Sequence, residues 1–274
     1  MTALDAAILE LVRETTRRVI LPRYQNLAAH EVFEKAADDL VTVADREAEE
    51  MLSEGLARID PSLAIVGEEA VAADPAVLDR LTGQCWIIDP IDGTANFAAG
   101  KPPFGILIAR CDARQAMSGW IYDCLTDRFC AAHRGGGAFL GGERLVARTT
   151  GLNPPVAGLS KLFITPEQAA WVEANIEPHF QLVEIPRCAA EQYPRLALGQ
   201  NDISNFNRTL PWDHAAGALW LNEAGGMVAR FDGGEYFVDE HARPGLLAAS
   251  TPALWEDYMA IIRPLLRARS PASP

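Results

Sequence analysis

Apolar residues recur at helical spacing from the start of the chain. Leu4, Ala7, Ile8, Leu11, Val12 and Val19 share one face and predict an amphipathic helix that ends near Pro22. A second helix carries Ala48, Met51 and Leu52 on its apolar stripe. It opens at Thr42 with Asp45 three residues on, a capping arrangement, and closes at Gly55 and Asp60-Pro61. The period then changes to that of strands. Leu63 to Val66, Cys85 to Ile88, Phe104 to Arg110, Met117 to Tyr122 and Arg128 to Ala132 are short runs separated by turn residues, so a sheet follows two helices. A glycine-rich stretch, Gly135 to Gly142, leads to Thr149–Pro155, which predicts a boundary between an α+β lobe over 1–150 and an α/β lobe over 151–274. The second lobe reads as a strand at 162–164, a helix at 166–174, a strand near 181–185 and a helix from about 189. The last strong helix starts near Asp213 and stops at Gly225-Gly226, and Arg269 to Pro274 reads as a frayed tail.

With 274 residues, 49% of them hydrophobic, the chain can bury a large core. Its 37 acidic residues against 24 Lys and Arg give a formal charge of −13, which argues against nonspecific binding to nucleic acid or an anionic membrane. No apolar run approaches the roughly 18 residues of a membrane-spanning helix. The start of the chain, with Asp5 and Glu10 among small apolar residues, does not read as a signal peptide. Five cysteines without a C-x-x-C pair, mostly inside apolar runs, read as buried thiols in a reducing cytoplasm.

An acidic protein that handles phosphate needs local positive charge, and three acidic segments offer a way to hold it as metal. Gly67-Glu68-Glu69 follows the run Leu63 to Val66, where a strand end can aim side chains into a cleft. Asp89-Pro90-Ile91-Asp92-Gly93-Thr94 follows Cys85 to Ile88 and places two carboxylates in one rigid turn, where they repel each other unless a cation or protons lie between them. Trp212-Asp213-His214 opens a helix, where Asp213 serves either as a ligand or as a simple N-cap. Magnesium prefers oxygen donors, so carboxylates together with a substrate phosphate suffice. The amides at Gly93, Thr94 and Ala95 are candidates for accepting that phosphate at a helix start.

In this order and spacing, Gly67-Glu68-Glu69, Asp89-Pro90-Ile91-Asp92-Gly93-Thr94-Ala95-Asn96-Phe97 and Trp212-Asp213-His214-Ala215-Ala216-Gly217 resemble the inositol monophosphatase family. Val41 to Asp45, Lys35 and Glu223-Ala224-Gly225-Gly226 match further family positions. The resemblance implies an α/β (α+β) fold layered α-β-α-β-α, as in fructose bisphosphatase. It also implies hydrolysis of a small phosphate monoester with two or three Mg2+ ions, sensitivity to lithium, a homodimer and a cytoplasmic location. Residue by residue it places Glu68, Asp89, Asp92 and the Ile91 carbonyl on a first ion and Asp213 on a second, bridged by Asp92. It gives Thr94 and Asp45, with Glu68, the task of positioning and activating the attacking water.

The family pattern is not followed everywhere. Ala70 stands where a serine is usual, and a gap-free count puts Phe206 where an acidic residue would bind inositol hydroxyls, with Asn205, Asn207 or Asp202 as substitutes. Arg187-Cys188-Ala189 falls where a glycine-containing segment touches substrate, so Arg187 suggests a further anionic or planar group, or else an exposed helix start. His214 and His133 read as structural. Candidate substrates are inositol phosphates, histidinol phosphate, sugar phosphates and nucleotide 3'-phosphates. A catalytically silent scaffold would have lost a ligand, and none is lost. A dinucleotide-dependent oxidoreductase would need G-x-G-x-x-G rather than Gly135-Gly136-Gly137.

Overall fold

The computed structural model describes residues 1–36 and 39–269, so the tail beyond 269, like the side chain of Lys35, lies outside the described residues. Helix α1 (Ala3–Thr15) continues through a π turn at 16–20, and a hairpin of β1 (Val32–Ala36) and β2 (Asp39–Thr42) leads into α2 (Val43–Ile59). Thr42 and Asp45 form the capping box that their spacing predicts.

A seven-stranded sheet follows in sequence order: β3 (Ala64–Gly67), β4 (Cys85–Asp92), β5 (Gly105–Asp112), β6 (Gln115–Asp123), β7 (Phe129–His133), β8 (Gly137–Leu140) and β9 (Glu143–Leu145). Only β3 and β4 are parallel. Two short α-helices interrupt it, α3 (Glu68–Ala73) after β3, followed by a 3-10 helix at Pro75–Thr82, and α4 (Thr94–Ala98) after β4. The second sheet has five strands. Between β10 (Val156–Leu159) and β11 (Gln181–Leu182) lies α5 (Pro166–Asn175). There follow α6 (Ala189–Ala197), β12 (Ile203–Phe206), α7 (Pro211–Glu223), β13 (Met227–Ala229), β14 (Leu246–Ala249) and α8 (Pro252–Arg269), with spatial order β11-β10-β12-β14-β13.

Alternation along the strands produces the layers. Trp86, Ile88, Ile106, Ile108 and Trp120 face α1 and α2 on one side of the large sheet, while Ile87, Leu107, Ala109 and Ile121 face α6 and α7 on the other. Ala248 of the small sheet meets that same middle layer, and Leu247 and Ala249 turn outward to Trp255 and Met259 of α8. The result is α-β-α-β-α. Covered on both faces, β4 is buried at every position, which explains its unbroken apolar run. Helix α7 lies between the two sheets and is apolar all round for the same reason.

Two expected strands are corrected. Residues 162–164 form a turn, with Phe163 in the left-handed region at φ 60°, and the strand is β10, six residues earlier. The strand near 181–185 shrinks to Gln181–Leu182 at the sheet edge, since Val183 and Glu184 face solvent. Among the described residues, no helix is long and apolar enough to cross a membrane.

The first helix is pinned by a buried carboxylate. Asp5 is 2% exposed and accepts hydrogen bonds from the Thr2 amide (2.7 Å), Trp120 Nε1 (2.8 Å) and His133 Nε2 (3.0 Å), while His133 Nδ1 meets Ser118 Oγ at 3.0 Å. Burial alone would raise its pKa, but these donors hold the carboxyl below the ordinary range. Asp5→Ala should therefore cost about 3 kcal/mol in urea unfolding at neutral pH, because the Trp120 donor is left buried and unpaired. A depressed carboxyl stabilises the fold above its unfolded pKa, near 3.9, and that contribution is lost as pH falls through the folded value. The gap between variant and parent should accordingly narrow below about pH 4, leaving the part due to the unpaired Trp120 donor.

Candidate active site

Three strand or helix ends deliver carboxylates to one place. Strand β4 stops at Asp92 because Gly93 (φ 85°) turns the chain into α4, and a Cβ there would lie 2.9 Å from the Pro103 carbonyl. Strand β3 ends at Gly67, where a Cβ would collide with the Glu49 carboxylate at 2.3 Å. Glu49, on α2, accepts from the Glu69 (2.7 Å) and Ala70 (2.8 Å) amides and so caps the helix that begins at Glu68. No motif singled out Glu49; its partners lie 20 and 21 residues away, and within α2 it reads as one more acid on a solvated face. Helix α7 starts at Pro211 with Leu210 as its N-cap, so Asp213 sits in the first turn rather than at the cap.

One carboxylate oxygen each from Asp89, Asp92 and Asp213 lies within 4.8 Å of the others. Glu68 stands outside that trio but lines the same cavity of about 160 Å³, together with Ile91, Gly93, Thr94, Ala95, Arg187, Cys188, Ala189 and Phe206. Asp45 lies behind the cavity wall, 1% exposed. The candidate metal ligands Glu68, Asp89, Ile91, Asp92 and Asp213, the candidates Gly93, Thr94, Ala95, Arg187, Cys188, Ala189 and Phe206, and Asp45 behind Thr94 therefore converge on this one region.

The electrostatics are those of an anionic cluster. Burial, then the charges of Glu68, Asp92, Asp213 and Asp45, push the Asp89 carboxyl well above the ordinary range. Burial also pushes Asp92 up to about 6, although it accepts from the Ala190 amide (2.5 Å) and the Cys188 thiol (3.1 Å). Hard oxygen donors, crowded, two of the three buried, and without a histidine or cysteine ligand among them, suit a small divalent cation such as Mg2+. The donor set fits the metal.

Thr94 Oγ1 lies 3.1 Å from Asp45 Oδ1 and 3.0 Å from the Ile91 carbonyl, and its single proton can serve only one of them. Asp45 is held by the Thr42 amide (2.8 Å) and hydroxyl (2.5 Å), and burial raises its pKa to about 6. Asn96 ties the turn to the opposite loop by donating to the Pro103 and Pro186 carbonyls, both at 2.9 Å. His214 is buried and neutral, its pKa lowered to about 4 by burial; it accepts at Nδ1 from the Tyr193 hydroxyl and donates from Nε2 to the Arg208 carbonyl, both at 3.0 Å.

Comparison with known proteins gives this geometry its family. A sequence profile of the inositol monophosphatase family matches residues 1–267. The chain belongs to the inositol monophosphatase family. It is 28% identical to an inositol-1-monophosphatase of Bacillus subtilis, over 94% of this chain and 97% of that protein. It is 32% identical to a fructose-1,6-bisphosphatase/inositol-1-monophosphatase of Thermotoga maritima, over 72% of this chain and 73% of that one. The solved structure of a Thermotoga maritima IMPase superposes with a TM-score of 0.80 at 26% identity, covering 98% of this chain and 99% of that one. The layered fold read from the family motifs is thus the observed one, and the chain is a phosphatase of a metal-dependent family of phosphoric monoester hydrolases.

Proposed function

We propose that this inositol monophosphatase-family enzyme hydrolyses a small phosphorylated metabolite with Mg2+, by direct attack of water and without a phosphoenzyme. The observation that carries the reading is the convergence of one carboxylate oxygen each from Asp89, Asp92 and Asp213 within 4.8 Å in one cavity. Glu68, Asp89, Asp92 and the Ile91 carbonyl would hold one ion, and Asp92 with Asp213 a second. When bound, the ions supply positive charge to the phosphate and lower the pKa of the water they hold.

The rest follows from the chain's own groups. The Thr94 hydroxyl donates a hydrogen bond to Asp45, which turns a lone pair of Oγ1 toward the cavity, where it accepts a hydrogen bond from the attacking water and orients it. The Glu68 carboxylate would take up the proton of that water, and the leaving alcohol oxygen would gain a proton from solvent. The amides of Gly93, Thr94 and Ala95 receive the phosphate, and Cys188 and Ala190 hold Asp92 in place. The assembly expected with this reading is a homodimer. Phosphate release from a panel of monoesters should require Mg2+, stop with a chelator and fall with lithium; absence of turnover by the metal-loaded protein would overturn the reading. Thr94→Ala should lower kcat by about 100-fold with a smaller effect on KM, measured by the same assay.

A further inference from the structure

Two of the loops that line the cavity are held in a conformation that side chains disfavour. Phe163 (φ 60°) and Arg187 (φ 52°) both lie in the left-handed region, and both line this one cavity. For residues of this size such backbone is unfavourable, and it persists where the surroundings enforce it. Phe163 is 53% exposed, with the Arg208 guanidinium over its ring at 4.3 Å. Arg187 is exposed and makes no hydrogen bond or ion pair with another described residue. Phe206, which lines the same cavity, stacks on Tyr193 (5.2 Å, 23°) and meets His214 edge-on (4.7 Å, 62°).

The polar groups beside Phe206 are used by the fold. Asn207 Nδ2 donates to the Ser160 and Leu162 carbonyls, both at 2.9 Å, and its Oδ1 meets Asn205 Nδ2 at 3.3 Å. Asn205 Oδ1 accepts from the Ser160 amide at 2.7 Å. Asp202 is 1% exposed and is bound by the Thr150 and Val156 amides, both at 2.8 Å, and by the Thr150 hydroxyl. The expectation that one of these three replaces a missing acidic residue is corrected: each spends its acceptor within the scaffold. Hydroxyls pressed against the Phe206 ring would give up water without an acceptor in return.

We propose that this wall selects phosphate monoesters whose alcohol is flat and apolar and carries a second anionic group. The flat skeleton lies against Phe163 and Phe206, and the anion pairs with Arg187. This rests on the phosphomonoesterase reading above.

The test is steady-state phosphate release by the full chain with Mg2+ from benzyl phosphate, 4-carboxybenzyl phosphate and myo-inositol 1-phosphate, all esters of alcohols. The carboxylated ester should show kcat/KM about tenfold above benzyl phosphate, consistent with one charge pair, and both should exceed the inositol ester. Arg187→Gly, which also removes the backbone strain, should bring the ratio of the two benzyl esters close to one. Phe206→Glu should raise the inositol ester relative to benzyl phosphate. Preference of the parent for the inositol ester, or a benzyl-ester ratio unaffected by Arg187→Gly, would overturn the proposal while leaving the phosphatase reading intact. Hydrolysis of none of the three would overturn both.

Discussion

Asp92→Asn is expected to lower kcat/KM by at least about a thousandfold while leaving the fold in place. The substitution keeps the shape of the side chain, and its carbonyl oxygen can still accept from the Ala190 amide, as Asp92 Oδ2 does now at 2.5 Å. What changes is charge. Asp92 is one of three carboxylates that share a space 4.8 Å across, and in the proposed arrangement it alone touches both ions, so its loss weakens both sites together. The same crowding predicts an asymmetry in stability. Without metal, a buried carboxylate whose pKa is pushed to about 6 opposes folding at neutral pH, so the metal-free variant should melt at or above the parent temperature. Added Mg2+ should raise the melting temperature of the parent and hardly move that of the variant. Near-parental turnover, or an undiminished Mg2+ shift, would remove Asp92 from the bridging role.

How much of this was readable in advance depends on whether the residues involved signal locally. The Asp89 to Thr94 turn was legible because β4 is buried on both faces, so an unbroken apolar run ends abruptly in two acids, a proline and a glycine. Helix α7 was legible because its position between two sheets demands an apolar surface all round. The second sheet was harder. Strand β12 turns Ser204 and Asn205 into the protein, and Asn205 uses its amide to hold the Ser160 backbone, so a buried strand carries a polar signature. The loops of the substrate wall were hidden for a different reason. Nothing in Leu162-Phe163-Ile164 announces a left-handed phenylalanine; apolar neighbours alone predict a strand there, and only the packing of the loop over the cavity decides otherwise. Glu49 escaped, and so did the bonding role of Asn96 within its motif, because their partners are distant in sequence, a relation that composition and period do not encode.

The second large effect links the middle helical layer to the site. Helix α7 carries Asp213 at its start, and its depth is fixed by two close approaches: Gly119 of β6 lies where a Cβ would come 2.8 Å from Ala216 Cα, and Gly217 lies where a Cβ would come 2.0 Å from the Tyr193 ring. Neither neighbour can retreat easily. Tyr193 is fully buried, stacked on Phe206 and hydrogen-bonded through its hydroxyl to His214, so its ring is fixed on several sides. Gly217→Ala should therefore displace α7 or the Tyr193 ring, costing about 3 kcal/mol in urea unfolding despite the better helix propensity of alanine. Because α7 holds Asp213, the variant should also need at least about tenfold more Mg2+ for half-maximal phosphate release. Global destabilisation and a specific clash separate in a double-mutant cycle: in a Tyr193→Ala background the added Gly217→Ala should cost less than about 1 kcal/mol, whereas an equal cost in both backgrounds would show that the Tyr193 ring does not set the depth of the helix.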